Sequence, residues 1–368
     1  MHRPVRDPSE LLPPGEPVQL LQPDGVLREH PEFAPVSDPQ LLRSMLRHMV
    51  VTRQVDQEAI NLQRQGQLAV YASCRGQEAA QVGSALALAD GDWIFPSYRE
   101  IGAAITRGID PTGLMHMYRG TWLADHDPYA ERFGLMTIPI ATQVLHATGF
   151  AMGTAMDGKD VVTVAYFGDG ATSEGDAHEA MTFAGVFNAP VVFFVQNNQW
   201  AISVPVERQT AAPSLAHKAV GYGIVGRRCD GNDVLATYAV MSEAVERARS
   251  GGGPTLIEAM TYRMESHTTS DDANRYRGED EVAAAAARDP IDRFQAFLAR
   301  SGVIDDEFAA SVAGEAAARS QQVRDAVYDA PHGDPTELFD HVYVDPNGHF
   351  AGQREQLARE LAAGGGGV

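Results

Sequence analysis

Three short clusters in this 368-residue chain carry acids, amides and bases at spacings that suit chemistry. Residues 167–176 read FGDGATSEGD, with glycines bracketing Asp169. Residues 190–198 read PVVFFVQNN, an apolar run closing on Asn197 and Asn198. Residues 264–272 read MESHTTSDD, a polar stretch holding His267. The first cluster follows the apolar run VVTVAYF (161–167) and opens a helical pattern, which is where a parallel sheet presents free helical N–H groups to a phosphate. The spacing excludes two familiar phosphate binders. After Gly168 and Gly170 a dinucleotide fingerprint needs a glycine where Ser173 stands, and no Gly-Lys-Ser/Thr follows for a P-loop.

Asp169 then needs its own reason. A carboxylate beside a diphosphate is repulsive unless a cation lies between them, and Mg²⁺ takes oxygen ligands shared between carboxylate and phosphates. Asp169 offers one oxygen. The end of the next strand, with 26 residues between Gly170 and Asn197, offers an asparagine oxygen and a backbone carbonyl such as that of Trp200. Either cluster alone is an ordinary strand-to-helix turn; both together, each ending a buried strand, point to a metal-held phosphate.

The elements that must position these groups can be read from pattern. Residues 39–66 and 76–88 show helical periodicity, and DWIFPSYRE (92–100) is a strand or loop leading into a third helix. Strands are expected at 161–167, 190–198, 223–231 and 254–263, with helices at 174–188 and 232–249. Strand and helix alternate, so the expected fold class is α/β: a parallel sheet with helices on both faces. The expected domains are an extended arm (1–37) with a small hairpin at Asp24-Gly25, a diphosphate-binding α/β domain (38–280), a helical region (281–362) and a disordered tail (363–368). The small residues of 76–88 suit close packing, inside the core or at an interface.

Composition narrows the function classes. The net charge of -20 disfavours nucleic acid. Two cysteines, Cys74 and Cys229, make no disulfide framework or metal spacing. The first residues lack the apolar run of a signal peptide and no stretch reaches membrane-spanning length, so the expectation is a cytoplasmic protein without membrane or nucleic-acid partners.

The pair GDG…NN resembles the thiamine diphosphate motif, and the likeness extends further. YFGDGATSEGDAHEAMTFA, FPSYRE, IPIATQ (138–143) and YRMESHTTSDDANRYR (262–277) occur in family order. Residues 18–345 resemble the alpha subunit of the heteromeric 2-oxo acid dehydrogenases, the decarboxylating component, with the branched-chain enzymes nearest in wording. The resemblance implies the thiamine diphosphate-binding fold, with thiamine diphosphate and Mg²⁺ as cofactors. It gives Asp169, Asn198 and the Trp200 carbonyl as Mg²⁺ ligands, and sets Gly168, Gly170 and Ala171 against the diphosphate. Tyr98 and Arg99 match residues on diphosphate oxygens, Ile138 and Ile140 residues lining the organic rings. Thr137, Pro139, Thr142 and Gln143 match a potassium site of some members. His267 matches the histidine that contacts the cofactor and aids acyl transfer to the lipoyl group, and Arg263, Asp271, Tyr276 and Arg277 match the frame of its loop.

The same resemblance implies decarboxylation of a small 2-oxo acid at the thiazolium of the cofactor, and transfer of the acyl group to a lipoyl domain of a dihydrolipoyl acyltransferase. The activating glutamate comes from a separate beta subunit in the family, so two alpha and two beta chains are expected. Pyruvate or acetoin dehydrogenation is the alternative, and a scaffold-like paralogue a further one. The chain departs from the family at Gln199 and Trp200, at Ser266, and at Gln196, which replaces an arginine on the diphosphate. Thr268 and Gly278 stand at the positions phosphorylated in animal members, which argues against that control.

Overall fold

Side-chain alternation along the apolar strands sets the architecture. The computed structural model describes residues 7–120, 126–330, 334–340, 342–345 and 348–364. Residues 1–6 of the expected arm and 365–368 of the expected tail lie outside the described residues. Five strands, β1 (Trp93–Phe95), β2 (Thr163–Gly168), β3 (Val191–Asn197), β4 (Val225–Asp230) and β5 (Thr255–Met260), form one parallel sheet. Their order is β1-β2-β3-β5-β4. Val164, Tyr166, Val192, Phe194 and Ile257 pack with the helices Pro39–Arg64, Glu78–Leu86 and Val234–Arg249. The alternate residues Ala165, Phe167, Phe193, Val195 and Leu256 pack with Thr142–Met156 and Gly175–Phe187. Both faces are covered, which is why these strands read as unbroken apolar runs. The expected α/β class, with helices on both faces, is what the chain adopts.

Register brings the functional clusters to one edge. Gly168 pairs with Gln196 and Asn197 with Met260, so β2, β3 and β5 end level. The chain runs from β3 out to the sheet edge at β4 and returns to β5 beside β3. The order reverses there, and the crevice at such a reversal is where parallel sheets take ligands.

The helix Glu78–Leu86 settles one open alternative. Residues Glu78 to Ala85 are all buried, and a Cβ on Gly83 would come within 2.9 Å of the Val234 carbonyl. Its small residues let it approach the helix Val234–Arg249 within this chain, so they serve core packing.

The N-terminal segment is more deeply involved than an extended arm suggests. Leu21 and Leu27 form the single bridge of a turn containing Asp24-Gly25. Val18 pairs in parallel with Cys229 and covers the edge of β4. Leu20 and Leu21 are fully buried in the main core. Behind them Asp233 caps the helix Val234–Arg249, accepting from the Leu235 and Ala236 N–H groups at 3.0 and 3.1 Å. Its second oxygen accepts from the Leu20 and Leu21 N–H groups at 2.7 and 2.6 Å. Among the described residues, no helix is long and apolar enough to cross a membrane.

Asp233 is fully buried, so removing it strands four donors and a helix cap. Asp233→Ala is expected to lower unfolding free energy by about 3 kcal/mol in denaturant titration. Asp233→Asn, which keeps one acceptor, should fall between it and the parent.

Candidate active site

A cleft of about 250 Å³ opens at this carboxyl edge. Tyr98 and Arg99 enter it from the loop before the helix Ile101–Thr106. Gly168, Asp169, Gly170 and Ala171 form the turn after β2, Asn198 and Trp200 follow β3, and Arg263 and His267 follow β5. Thr137, Pro139, Ile140 and Gln143 complete the wall. Ile138 and Thr142 stand outside that wall, Ile138 with 68 % of its surface exposed. The clusters singled out by spacing, far apart in sequence, thus meet in one cavity.

The backbone comes close where glycine permits it. A Cβ on Gly170 would lie 2.7 Å from the Ala201 side chain, so this turn tolerates no larger residue without movement. Asp169 is 1 % exposed, and burial pushes its carboxyl up from the usual range. The Gln209 amide donates to it, and no described lysine or arginine forms an ion pair with it. Asn198 donates its amide to Gln77 at 3.1 Å, which turns its oxygen toward the Trp200 N–H at 3.3 Å. One buried carboxylate, one amide oxygen and one carbonyl make an oxygen-only donor set that fits Mg²⁺ completed by phosphate oxygens.

The same cleft holds two buried guanidiniums. Arg99 donates to the carbonyls of Ser73 at 2.6 Å and His267 at 2.9 Å. Arg263 donates to the carbonyls of Trp200 and Ile202, each at 2.9 Å. Both guanidiniums are buried, and among the described residues neither forms an ion pair with a carboxylate. Burial, with Arg99 close by, lowers Arg263 to about 10. Two buried guanidiniums and a buried acid in one cleft are groups whose chemistry fits an anion and a cation together.

His267 sits between the two arginines, its Nδ1 3.4 Å from Arg99 and 3.3 Å from Arg263. Guanidiniums only donate, so Nδ1 is the acceptor and the neutral ring carries its hydrogen on Nε2. Its backbone N–H donates to Asp271 at 2.9 Å, Tyr276 also donates to Asp271, and Arg277 donates to the carbonyls of Arg263, Met264 and Glu265. Burial, then the charges of Arg99 and Arg263, hold the imidazole down to about 3.

Several supporting residues were not visible as motifs. Asp56, buried in the helix Pro39–Arg64, accepts from the Tyr71 hydroxyl at 2.8 Å, the Ser73 hydroxyl at 2.5 Å and the Cys74 N–H at 2.8 Å. It fixes the loop whose Ser73 carbonyl takes Arg99. The same loop pairs with the histidine loop through Tyr71 and Thr269. The one sequence signal was polar Gln77 and Gln81, four apart within a small-residue helical pattern.

Known proteins carry related sequences. The family model described as the dehydrogenase E1 component matches residues 46–336. The 3-methyl-2-oxobutanoate dehydrogenase subunit alpha of Mycobacterium tuberculosis (strain CDC 1551 / Oshkosh) is 52% identical over 347 residues, covering 94% of this chain and 95% of the relative. The pyruvate dehydrogenase E1 component subunit alpha of Bacillus cereus is 40% identical over 89% of this chain and 88% of its own. The 2-oxoisovalerate dehydrogenase subunit alpha of Bacillus subtilis (strain 168) is 37% identical over 82% and 94% respectively.

The depressed imidazole has a consequence for acid stability in the cofactor-free protein. An unfolded chain protonates histidine near pH 6.5, while folded His267 resists down to about 3. Its contribution is therefore complete above pH 6.5 and declines as pH falls below it. Between pH 7.5 and 5 the parent should lose up to about 2 kcal/mol of unfolding free energy that His267→Gln does not lose. His48, held at about 4 by burial, is present in both proteins, so the difference isolates His267.

Proposed function

The chain belongs to the dehydrogenase E1 component family, and from that premise we propose that it is the alpha subunit of a branched-chain 2-oxo acid dehydrogenase. It takes part in oxidative decarboxylation of acids such as 3-methyl-2-oxobutanoate, and in reductive acylation of a lipoyl group on a dihydrolipoyl acyltransferase. The observation that carries this reading is one cleft lined by the buried Asp169 and by the buried guanidiniums of Arg99 and Arg263, none of which forms an ion pair among the described residues. The identity of 52% to a relative named for the branched-chain substrate supports the substrate class.

The family implies thiamine diphosphate, which when bound supplies the electron sink for decarboxylation. In this reading Asp169, the Asn198 oxygen and the Trp200 carbonyl hold Mg²⁺. Tyr98, Arg99 and the backbone of Gly168, Gly170 and Ala171 hold the diphosphate, and Ile140 bounds the organic rings, with Ile138 outside the wall at the exposed rim. His267, neutral with its hydrogen on Nε2, would donate a hydrogen bond to the lipoyl sulfur released as the dithiolane opens, while Asp271, held by Tyr276, fixes the His267 backbone N–H and with it the loop. Thr137 Oγ1 lies 3.2 Å from Gln143 Oε1, and with the carbonyls of Pro139 and Thr142 these oxygens suit a potassium ion.

An alpha subunit of this component implies a beta subunit. Ile138, Ile140 and Ile202 stand exposed around the cleft, an apolar rim suited to burial under that partner. Two alpha and two beta chains with an acyltransferase lipoyl domain complete the proposed assembly, in the cytoplasm. A pyruvate specificity is the second reading, because the Bacillus cereus pyruvate relative is more similar than the Bacillus subtilis 2-oxoisovalerate relative.

Co-expressed with its beta partner and given Mg²⁺ and thiamine diphosphate, the protein should oxidise 3-methyl-2-oxobutanoate faster than pyruvate in a dye-coupled assay. The reverse preference would establish the second reading, and turnover of neither would favour a scaffold. Asp169→Ala should abolish Mg²⁺-dependent cofactor binding measured by calorimetry. His267→Ala should hold the cofactor with little change while lipoyl acylation falls by about 10²-fold or more; acylation at the parental rate would remove His267 from that role.

A further inference from the structure

Gln196, at the end of β3, is buried behind the cleft and is not part of its wall. Its amide donates to Glu100 Oε1 at 2.7 Å, and its oxygen accepts from Gln81 Nε2 at 3.1 Å. Gln81 Nε2 also donates to the Arg99 carbonyl at 3.0 Å, and Gln81 Oε1 accepts from the Gly102 N–H at 2.8 Å. Glu100 closes the arrangement by accepting from the Ser97 hydroxyl at 2.7 Å. All three side chains are essentially inaccessible to solvent. They come from three elements: the helix Glu78–Leu86, the start of the helix Ile101–Thr106, and β3.

The contacts converge on residues 97–102, on either side of Arg99. This segment links a three-residue strand to a six-residue helix and has little regular structure of its own. We propose that Gln81, Glu100 and Gln196 are positioning residues for diphosphate binding, fixing the Arg99 backbone so that its guanidinium faces the cleft. The inference rests on the cleft being the diphosphate site. Gln196 acts through Glu100 and Gln81, and its replacement alters cofactor affinity by moving Arg99. The network needs hydrogen-bond polarity rather than charge: an amide at position 100 can still accept from Gln196 and meet the Ser97 hydroxyl. Two ionised carboxylates at 100 and 196 repel each other and neither supplies a donor.

The test uses the chain assembled with its beta partner. Calorimetry reads the Kd for thiamine diphosphate at saturating Mg²⁺, and the assay reads kcat at saturating cofactor. Gln196→Glu should raise Kd about tenfold or more, with kcat retained once cofactor saturates. Glu100→Gln should leave Kd near the parental value. The double variant Glu100→Gln/Gln196→Glu should restore it, because the carboxylate at 196 then accepts from both Gln81 and the amide at 100. An unchanged Kd in Gln196→Glu overturns the proposal. If Gln196→Glu fails to assemble, the double variant decides alone: parental Kd supports the network, and a raised Kd or failed assembly overturns it. Cofactor binding by the parent is the control. If the parent does not bind, the diphosphate reading itself falls; if it binds and the variants do not follow this pattern, only the network does.

Discussion

Arg99 and Arg263 are buried beside the same histidine, Asp169 is buried in the same cleft, and among the described residues none of the three forms an ion pair with a side chain of opposite charge. Isolated charges in such surroundings are costly, and proteins ordinarily pair them or leave them at the surface. Under the proposed function, compensation comes from a ligand that carries phosphate to the arginines and a cation to the aspartate. Much of the surrounding structure serves to hold these groups in place before any ligand arrives.

That holding is done by buried polar side chains acting on backbone. Asp56 ties down the loop that offers the Ser73 carbonyl to Arg99. Gln81, Gln196 and Glu100 clamp the segment from which Arg99 projects. Gln77 turns Asn198, and Gln209 reaches Asp169. Except for the half-buried Gln209, each is an interior group with partners on the main chain or on another buried side chain, the condition under which a polar interior rigidifies rather than destabilises. The departure at Gln196 therefore acquires a local meaning. The glutamine does not reach the cleft; it bonds inward and supports the arginine that does.

Trp200 links the two halves of the site. Its carbonyl accepts from Arg263, its indole N–H donates to Glu281 at 2.8 Å, and its ring packs on Tyr276 with centroids 5.4 Å apart. Tyr276 in turn holds Asp271, which holds the His267 backbone. The metal side and the histidine side are thereby parts of one packed unit. Exposed isoleucines stand at the rim of this unit, and relatives of this chain are named as subunits.

The sequence by itself determined the sheet, its strands and the place of the glycine-bracketed turn after β2. Period-two burial on both faces leaves unbroken apolar runs, and a run that ends in Gly-Asp-Gly marks where a strand stops and a helix begins. Family wording supplied His267, Arg99 and the residues around them, which no periodicity singles out. Tertiary structure decided what depends on distance between remote segments: Val18 on the edge of β4, Leu20 and Leu21 in the core, and Glu78–Leu86 packed inside the chain. It also decided that Ile138 stands outside the cleft wall, that Gln196 faces inward, and that Asp56, Gln81 and Glu100 support the site. Glutamines and acids are common on surfaces, and their sequence neighbours do not reveal which carbonyl they meet. Only the register of β2, β3 and β5, and the close approach of helices at small residues, bring those partners within hydrogen-bond reach.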